Sequence, residues 1–445
     1  LSSGSLDVVG TAGLALSGTF TLEGSAGLST TKLTQTAGLF DHVASTHETG
    51  ILAVNGGTYR MAAGSLSIAS SWTLGSGGTF DFADGSGTVN VAASAAVNLS
   101  QGTILNAGSA TVNVLGSETL VILPTGFDPQ TNFGSFNNQG TTYTIGSTLE
   151  VLADRTLRLS GAFADPVVVA GTLEASAGAS LTLENGLTLQ SGGSVSLGSA
   201  GAVRYAAGTY AITGGSLTTR DLQIATSGTT NFTHSNGTAQ ATNLSIGTGA
   251  DSVATYDHTG GSLQVQSFRV GSPSGPGAAS NVTGTYTLGG TGSLTASGVA
   301  NIGLNGSSGS FVMTGGSASL FEVYIRSGGS LDISGGTFST TTRSLNVDGT
   351  GSVSLSGGTL NTSSSATASI AGSFTQTGGT HNSAPINVSG SYDLSSGSLD
   401  VVGTAGLALS GDFTLEGSAT LSTTKLTQTA GLFDHVASTH ETGIL

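Results

Sequence analysis

The chain has 445 residues, of which 72 are Gly, 6 are Pro and none is Cys, and only 8% are charged, against about 25% in an ordinary soluble domain. With 10 basic and 25 acidic residues the formal net charge is −15; this repels phosphate and argues against nucleic acid or an anionic membrane surface as a partner, while the missing Cys excludes disulfides, Cys-ligated zinc and thiol catalysis. A hydrophobic content of 37% is too high for a disordered Gly/Ser linker, and the scarcity of Pro rules out collagen, which leaves strands and tight turns as the expected elements.

The chain opens on a duplication. Residues 1–52 recur as 394–445 with 50 of 52 positions identical, the exceptions being Thr19 against Asp412 and Gly27 against Thr420. Identity at this level implies tandem duplication, so residues 1–393 are expected to form one unit and 394–445 the start of the next. Residue 1 is not Met and falls inside the repeat, and no signal peptide is visible. The chain therefore reads as a piece of a longer protein carrying several units. No apolar run of about 18 residues is present, so no membrane-spanning helix is expected.

Within the duplicated stretch, LFDHVASTHETG brings His42 and His47 beside Asp41 and Glu48, and the same group returns as His435 and His440 with Asp434 and Glu441. Two imidazoles and two carboxylates are candidate ligands for a divalent cation. His-x4-His is not a structural-zinc spacing, however, and the expectation is a solvated loop repeated only because the unit was duplicated. Further along, Asp81 and Asp84 in FDFADGSG resemble a calcium loop only faintly, because the G-G-x-G-x-D repeat of calcium β-rolls is absent. No metal and no cofactor is expected.

Residues 124–140, PTGFDPQTNFGSFNNQG, break the strand alternation and hold Phe127, Phe133 and Phe136. Residues 271–280, GSPSGPGAAS, hold Pro273 and Pro276. Both stretches read as protruding loops, the places where a repeat protein carries its contacts. Between them Asp154, Arg155, Arg158 and Asp165 form the densest charge group. Acids and bases spread over several coils could serve polysaccharide cleavage, but surface ion pairing is the expected role, and no catalytic residue is assigned.

From residue 210 onward a short period dominates. Tyr210 leads to Gly214-Gly215, Tyr256 to Gly260-Gly261, Phe311 to Gly315-Gly316, Phe374 to Gly378-Gly379 and Tyr392 to Ser396-Gly397. Along residues 311, 331, 353, 374 and 392 the spacings are 20, 22, 21 and 18. After the glycines come apolar residues at gaps of five and two, as in Leu217, Leu222 and Ile224 or Leu263, Phe268 and Val270. A gap of two is the strand period, and a gap of five leaves room for a bend between two strands. Short strands, Gly-marked corners and a period of about 20 residues predict an all-β parallel β-helix, or β-solenoid. One coil cannot bury its apolar residues alone, so Tyr210, Tyr256, Phe311, Phe374 and Tyr392 are expected to stack in an interior column. At about 20 residues per coil a unit of 393 residues would hold roughly 19 coils, stacked about 4.8 Å apart.

The pattern Y/F-x-x-T-G-G-S-L followed by L-x-I/V-G resembles bacterial secreted repeat proteins: autotransporter passenger domains, filamentous-haemagglutinin-like adhesins and the large repeat proteins of planctomycete-type bacteria. Residues 120–193, with LPTGFDPQTNFGSFNNQG and ADPVVVAGTLEASAGASLTLENGLTLQSGG, resemble the last group most. The resemblance implies a right-handed parallel β-helix, export, and an extracellular or cell-surface position. The expected function is a structural fibre or stalk whose units self-associate end to end or laterally; the alternatives are an adhesin taking a glycan or surface protein through its loops and, last, a polysaccharide-active enzyme.

Overall fold

A computed structural model describes residues 1–93, 95–159, 161–175, 179–198, 201–272, 281–304, 306–362, 366–436 and 438–444. Pro273 and Pro276 lie outside the described residues. The chain is all-β, 63% strand and 1% helix, wound as a β-solenoid of about 19 turns with ~22 residues in each. It divides into two compact units, residues 1–158 with 165–174, and residues 159–164 with 175–445. No helix among the described residues is long and apolar enough to cross a membrane.

In the first unit Ser5–Val8 pairs in parallel with Gly27–Gln35, which pairs with Ser45–Met61, which pairs with Gly64–Asp81. Strands this long run around corners of the coil. Alternation buries one face: Phe20, Phe40, Tyr59 and Phe80 are in register from coil to coil, and their ring centroids lie 5.2, 4.6 and 4.9 Å apart. Stacked rings with matching neighbours leave no void between layers.

In the second unit the same logic is carried further. One interior column runs Tyr210, Phe232, Tyr256, Tyr286, Phe311, Leu331, Val353, Phe374, Tyr392 and Phe413, each opposite the next across a parallel ladder. All five aromatic residues expected to stack are buried in it. The second glycine of each corner pair adopts positive φ, as at Gly215, Gly261, Gly316, Gly336, Gly358 and Gly379.

The gap of five differs from the expectation. Ser216–Ile224 is a single bent strand, with Leu217, Thr219, Leu222 and Ile224 inward and the consecutive Arg220 and Asp221 turned away from the core. The bend does not break the ladder, because Thr219 still pairs with Ala241 and Asp221 with Asn243.

The two copies of the duplicated segment fold in the same register. Ser5 opposes Gly27 as Ser398 opposes Thr420, Leu14 opposes Leu33 as Leu407 opposes Leu426, and Phe20 opposes Phe40 as Phe413 opposes Phe433. The substitution of Thr19 by Asp412 exchanges one acceptor: the Leu432 N–H donates to the Asp412 carboxylate at 3.0 Å, where its counterpart Leu39 N–H donates to the Gly18 carbonyl at 3.2 Å. Nothing in the structure explains Gly27 against Thr420.

Candidate functional site

Histidine is where the structure departs most from the solvated loop expected of it. The segment 39–43 is a strand, Leu39–Val43, and its alternation turns Phe40 and His42 to the same inner side. His42, His47, His234, His258 and His381 are all buried. Each meets a tyrosine hydroxyl. Tyr59 Oη lies 3.2 Å from His42 Nδ1 and 2.8 Å from His47 Nδ1. Tyr256 Oη lies 3.1 Å from His234 Nδ1, Tyr286 Oη 2.7 Å from His258 Nδ1 and Tyr392 Oη 3.0 Å from His381 Nδ1.

The partners assign the protons. His42 Nε2 faces the Ser45 carbonyl at 2.9 Å. A carbonyl only accepts, so Nε2 carries the hydrogen and Nδ1 accepts from Tyr59. Tyr59 oxygen is then free to accept from His47 Nδ1–H. His234 and His258 follow the same scheme, with Nε2 donating to Gly237 and Gly261 carbonyls at 3.4 and 3.3 Å. His42, His234 and His258 are thus satisfied at both nitrogens as neutral imidazoles, whereas His47 and His381 each keep a buried Nε2 without a partner among the described residues. Burial drives the same way: it lowers His47 and His381 to about 3 and His234 and His258 to about 4, with His258 adding to the effect on His234 through its parallel ring 4.4 Å away. Burial likewise lowers His42 against the opposing pull of the Ser45 carbonyl and Asp41.

Around Tyr392 the network is larger. Its hydroxyl donates to Gln376 Oε1 at 2.8 Å, and Gln376 Nε2 donates to the Gly379 and Ser398 carbonyls at 3.3 and 3.0 Å. Tyr392→Phe strands two buried groups at once, Gln376 Oε1 and His381 Nδ1. At about 1–3 kcal/mol for each orphaned group, the expected loss is about 3 kcal/mol in urea unfolding, while Tyr286→Phe, which strands only His258 Nδ1, loses about half of that.

The duplicate residues sit differently. His435 is exposed and His440 half-buried on the last coil, although His435 Nε2 keeps the bond to a backbone carbonyl, that of Ser438, at 3.1 Å. Asp41 pairs with Arg60 at 3.2 Å, and Glu48 is exposed. Among the described residues no group of three or more His, Cys, Asp or Glu is placed to hold a metal ion.

The charged group near residue 155 is engaged in pairs. Arg155 lies 3.5 Å from Asp154, and Arg158 reaches Glu118 at 3.2 Å and Glu174 at 3.3 Å. Asp165 accepts from Tyr143 Oη and from the Gly146 N–H. Asp81 accepts from Ala83 N and Asn106 Nδ2, both at 2.8 Å, so its carboxylate closes a turn. The stretch 124–140, expected to protrude, instead folds its rings onto the core. Phe133 is buried between Phe127, Phe136 and Phe82 at centroid distances of 5.3, 5.7 and 5.8 Å. Its one helical turn, Pro129–Asn132, is capped by Asp128. Three phenylalanines in a short irregular stretch bury more area by turning inward than by facing water.

Each unit also carries an outward groove at its strand bend. In the first unit a groove of about 510 Å³ is lined by Ser29, Glu48, Ser67 and Asn90. In the second a groove of about 510 Å³ is lined by Thr218, Gln240, Gln264, Gln266, Thr295 and Ser297. Thr218, Gln240, Gln264 and Thr295 are successive members of one outward ladder. Sequence reasoning missed both grooves, whose floor is set by the bend; it also missed the interior histidines, although F-x-H at strand period was enough to put His on the phenylalanine's side. No protein-family model, no curated protein and no solved structure matches this chain.

Proposed function

We propose that this chain is a segment of a secreted, cell-surface structural protein, in which tandem β-solenoid units build a fibre or stalk and perform no catalysis. One observation carries the reading: the two copies of the duplicated segment keep the same strand register, and the second copy buries its first coil on the coil before it. Leu399 opposes His381, Leu407 opposes Ile386 and Phe413 opposes Tyr392. Repeats that continue the ladder across the repeat boundary extend a solenoid without a joint, and stiffness follows from hydrogen bonds and stacked rings running along one axis. The low charge and the absence of Cys fit a long exported chain of the bacterial repeat class that the sequence resembles. Negative-stain microscopy of native material is expected to show uniform filaments at the cell surface, with a spacing set by the unit. A compact particle retained inside the cell ends this reading.

A second reading is favoured by the groove of the second unit. Gln240, Gln264 and Gln266 are exposed there, and among the described residues their amides have no hydrogen-bond partner. A ladder of uncharged donors and acceptors suits a neutral glycan chain lying along the axis, as an adhesin would hold it. Glycan-array binding lost in Gln240→Ala/Gln264→Ala supports this second reading, and an array blank for the intact chain removes it.

A further inference from the structure

One outward face of the second unit carries a regular lattice of hydroxyl and amide groups. In each of nine successive coils the strand after the glycine corner presents two residues outward, as Ser216 and Thr218 stand on either side of the inward Leu217. The first rank is Ser or Thr in every coil from Ser194 to Thr380, and the second is Ser, Thr, Gln or Asn in every coil from Ser196 to Asn382. No charged and no aromatic side chain interrupts either rank. The other faces of the same coils differ: the strand before the corner turns Asp257, Asp332 and Asp393 outward, and the strand beyond the bend turns Arg204 and Arg269 outward. Neighbours within a rank hold one another. Ser216 Oγ donates to Ser194 Oγ at 3.3 Å, Ser317 Oγ to Ser293 Oγ at 3.4 Å and Asn382 Nδ2 to Asn361 Oδ1 at 2.9 Å. Strand geometry sets the mesh at about 4.8 Å from coil to coil and about 6.7 Å from rank to rank. The groove at Gln240 and Gln264 covers only part of the second rank.

We propose that this two-rank track, from Ser194 to Asn382, binds one chain of an extended, neutral, β-1,4-linked glycan lying along the solenoid axis with about one sugar to each coil. The inference rests on the glycan reading of the groove, and it names the linkage and the length of what the site holds. Equatorial bonds at C1 and C4 make a β-1,4-linked pyranose chain a straight ribbon whose rise per sugar is close to that of a coil, so the hydroxyls along its edges meet the mesh again and again. The axial bond of an α-1,4-linked chain curves it away after a few sugars. Charge selects as well. A uronic or sulphated chain finds no cation in either rank, and a second copy of this chain, with its net charge of −15, brings a repulsion that this face has nothing to offset. With no aromatic platform in the ranks, each sugar is held by hydrogen bonds alone, and these are individually weak against water. Affinity therefore accumulates along the track, and a lattice whose members already hold one another lowers the ordering cost of each contact.

Isothermal titration of the intact chain tests this with β-1,4-linked xylo-, manno- and gluco-oligosaccharides of four and six units, set against α-1,4-linked maltohexaose. At least one β-linked hexaose is expected to bind about tenfold more tightly than its tetraose, and maltohexaose about tenfold more weakly than that hexaose. Ser319→Ile/Ser339→Ile removes two hydroxyls of the second rank beyond the groove and substitutes residues that favour a strand. It is expected to bring the hexaose down toward the tetraose, and an unchanged urea midpoint reports that the variant is folded. Equal affinity for four and six units, equal affinity for the two linkages, or a hexaose indifferent to the folded variant overturns the proposal and leaves the glycan reading of the groove standing. A hexaose affinity that falls as the chain is concentrated places a second copy on the track and overturns it too. If none of these sugars binds, the proposal fails, and a blank glycan array then removes the reading beneath it.

Discussion

Acidification from pH 7.5 to pH 4 is expected to destabilise the chain strongly, with the loss concentrated at the coils that hold buried histidine. The folded state keeps these rings neutral, with His47 and His381 at about 3 and His234 and His258 at about 4. The unfolded chain protonates them near 6.5. Below that pH the unfolded state binds more protons, so stability falls as the pH drops from about 6.5 toward the folded values and is whole above 6.5. At 1.36 kcal/mol per unit, each of the four loses about 3 kcal/mol by pH 4. A solenoid unfolds by neighbouring turns, so the loss opens coils locally before it opens the whole. Hydrogen exchange at pH 4 is expected to speed first in Thr229–His234, Val253–His258 and Ser373–Ser383. His381→Leu offers the control, because Leu360 and Leu399 flank it in register. It removes the acid limb of its coil with little change at pH 7.5. Identical acid profiles for this variant and the parent chain would remove buried histidine as the cause.

The second large effect belongs to the glycine corners. Gly358 has φ +70°, and a Cβ there would stand 2.7 Å from the Gly336 carbonyl oxygen and 2.7 Å from the Gly335 carbonyl carbon of the coil below. Gly358→Ala therefore meets two penalties, about 1–2 kcal/mol for a left-handed alanine and about 1–3 kcal/mol for forcing apart backbone that is already in contact. The sum, about 3 kcal/mol, is felt by both coils. Gly192 separates the two terms. Its φ is +83°, but a Cβ there meets nothing within 4 Å. Gly192→Ala is thus expected to cost only the conformational term, about 1 kcal/mol. Urea midpoints for the two variants measure the contrast. Equal shifts would mean that coil-to-coil approach at the corner contributes nothing.

Much of the fold was legible because a solenoid repeats its instructions. Tyr256 followed by Gly260-Gly261 states a core position and a corner in six residues, and the same statement recurs a coil later. The interior column through Tyr210, Tyr256, Phe311, Phe374 and Tyr392 needed no long-range information beyond the period. The stretch 124–140 was read less well: its irregularity was visible, but whether Phe133 faces water or the core depends on whether neighbouring coils leave a gap there, and periodicity does not encode that. The bend within Ser216–Ile224 is a similar case, since a gap of five is compatible with one strand or two until the ladder beside it is seen.

By itself the sequence determined the all-β class, the coil period, the Gly corners and the duplication at residue 394, since each is carried by residues close together or by plain identity. Only the tertiary structure decided how the interior polar groups are satisfied. His42, His234 and His258 take their tyrosines from 17, 22 and 28 residues further on. No fixed spacing links these pairs. What brings them together is the stacking of one coil on the next, which matches positions in space whatever length of chain the intervening corners consume.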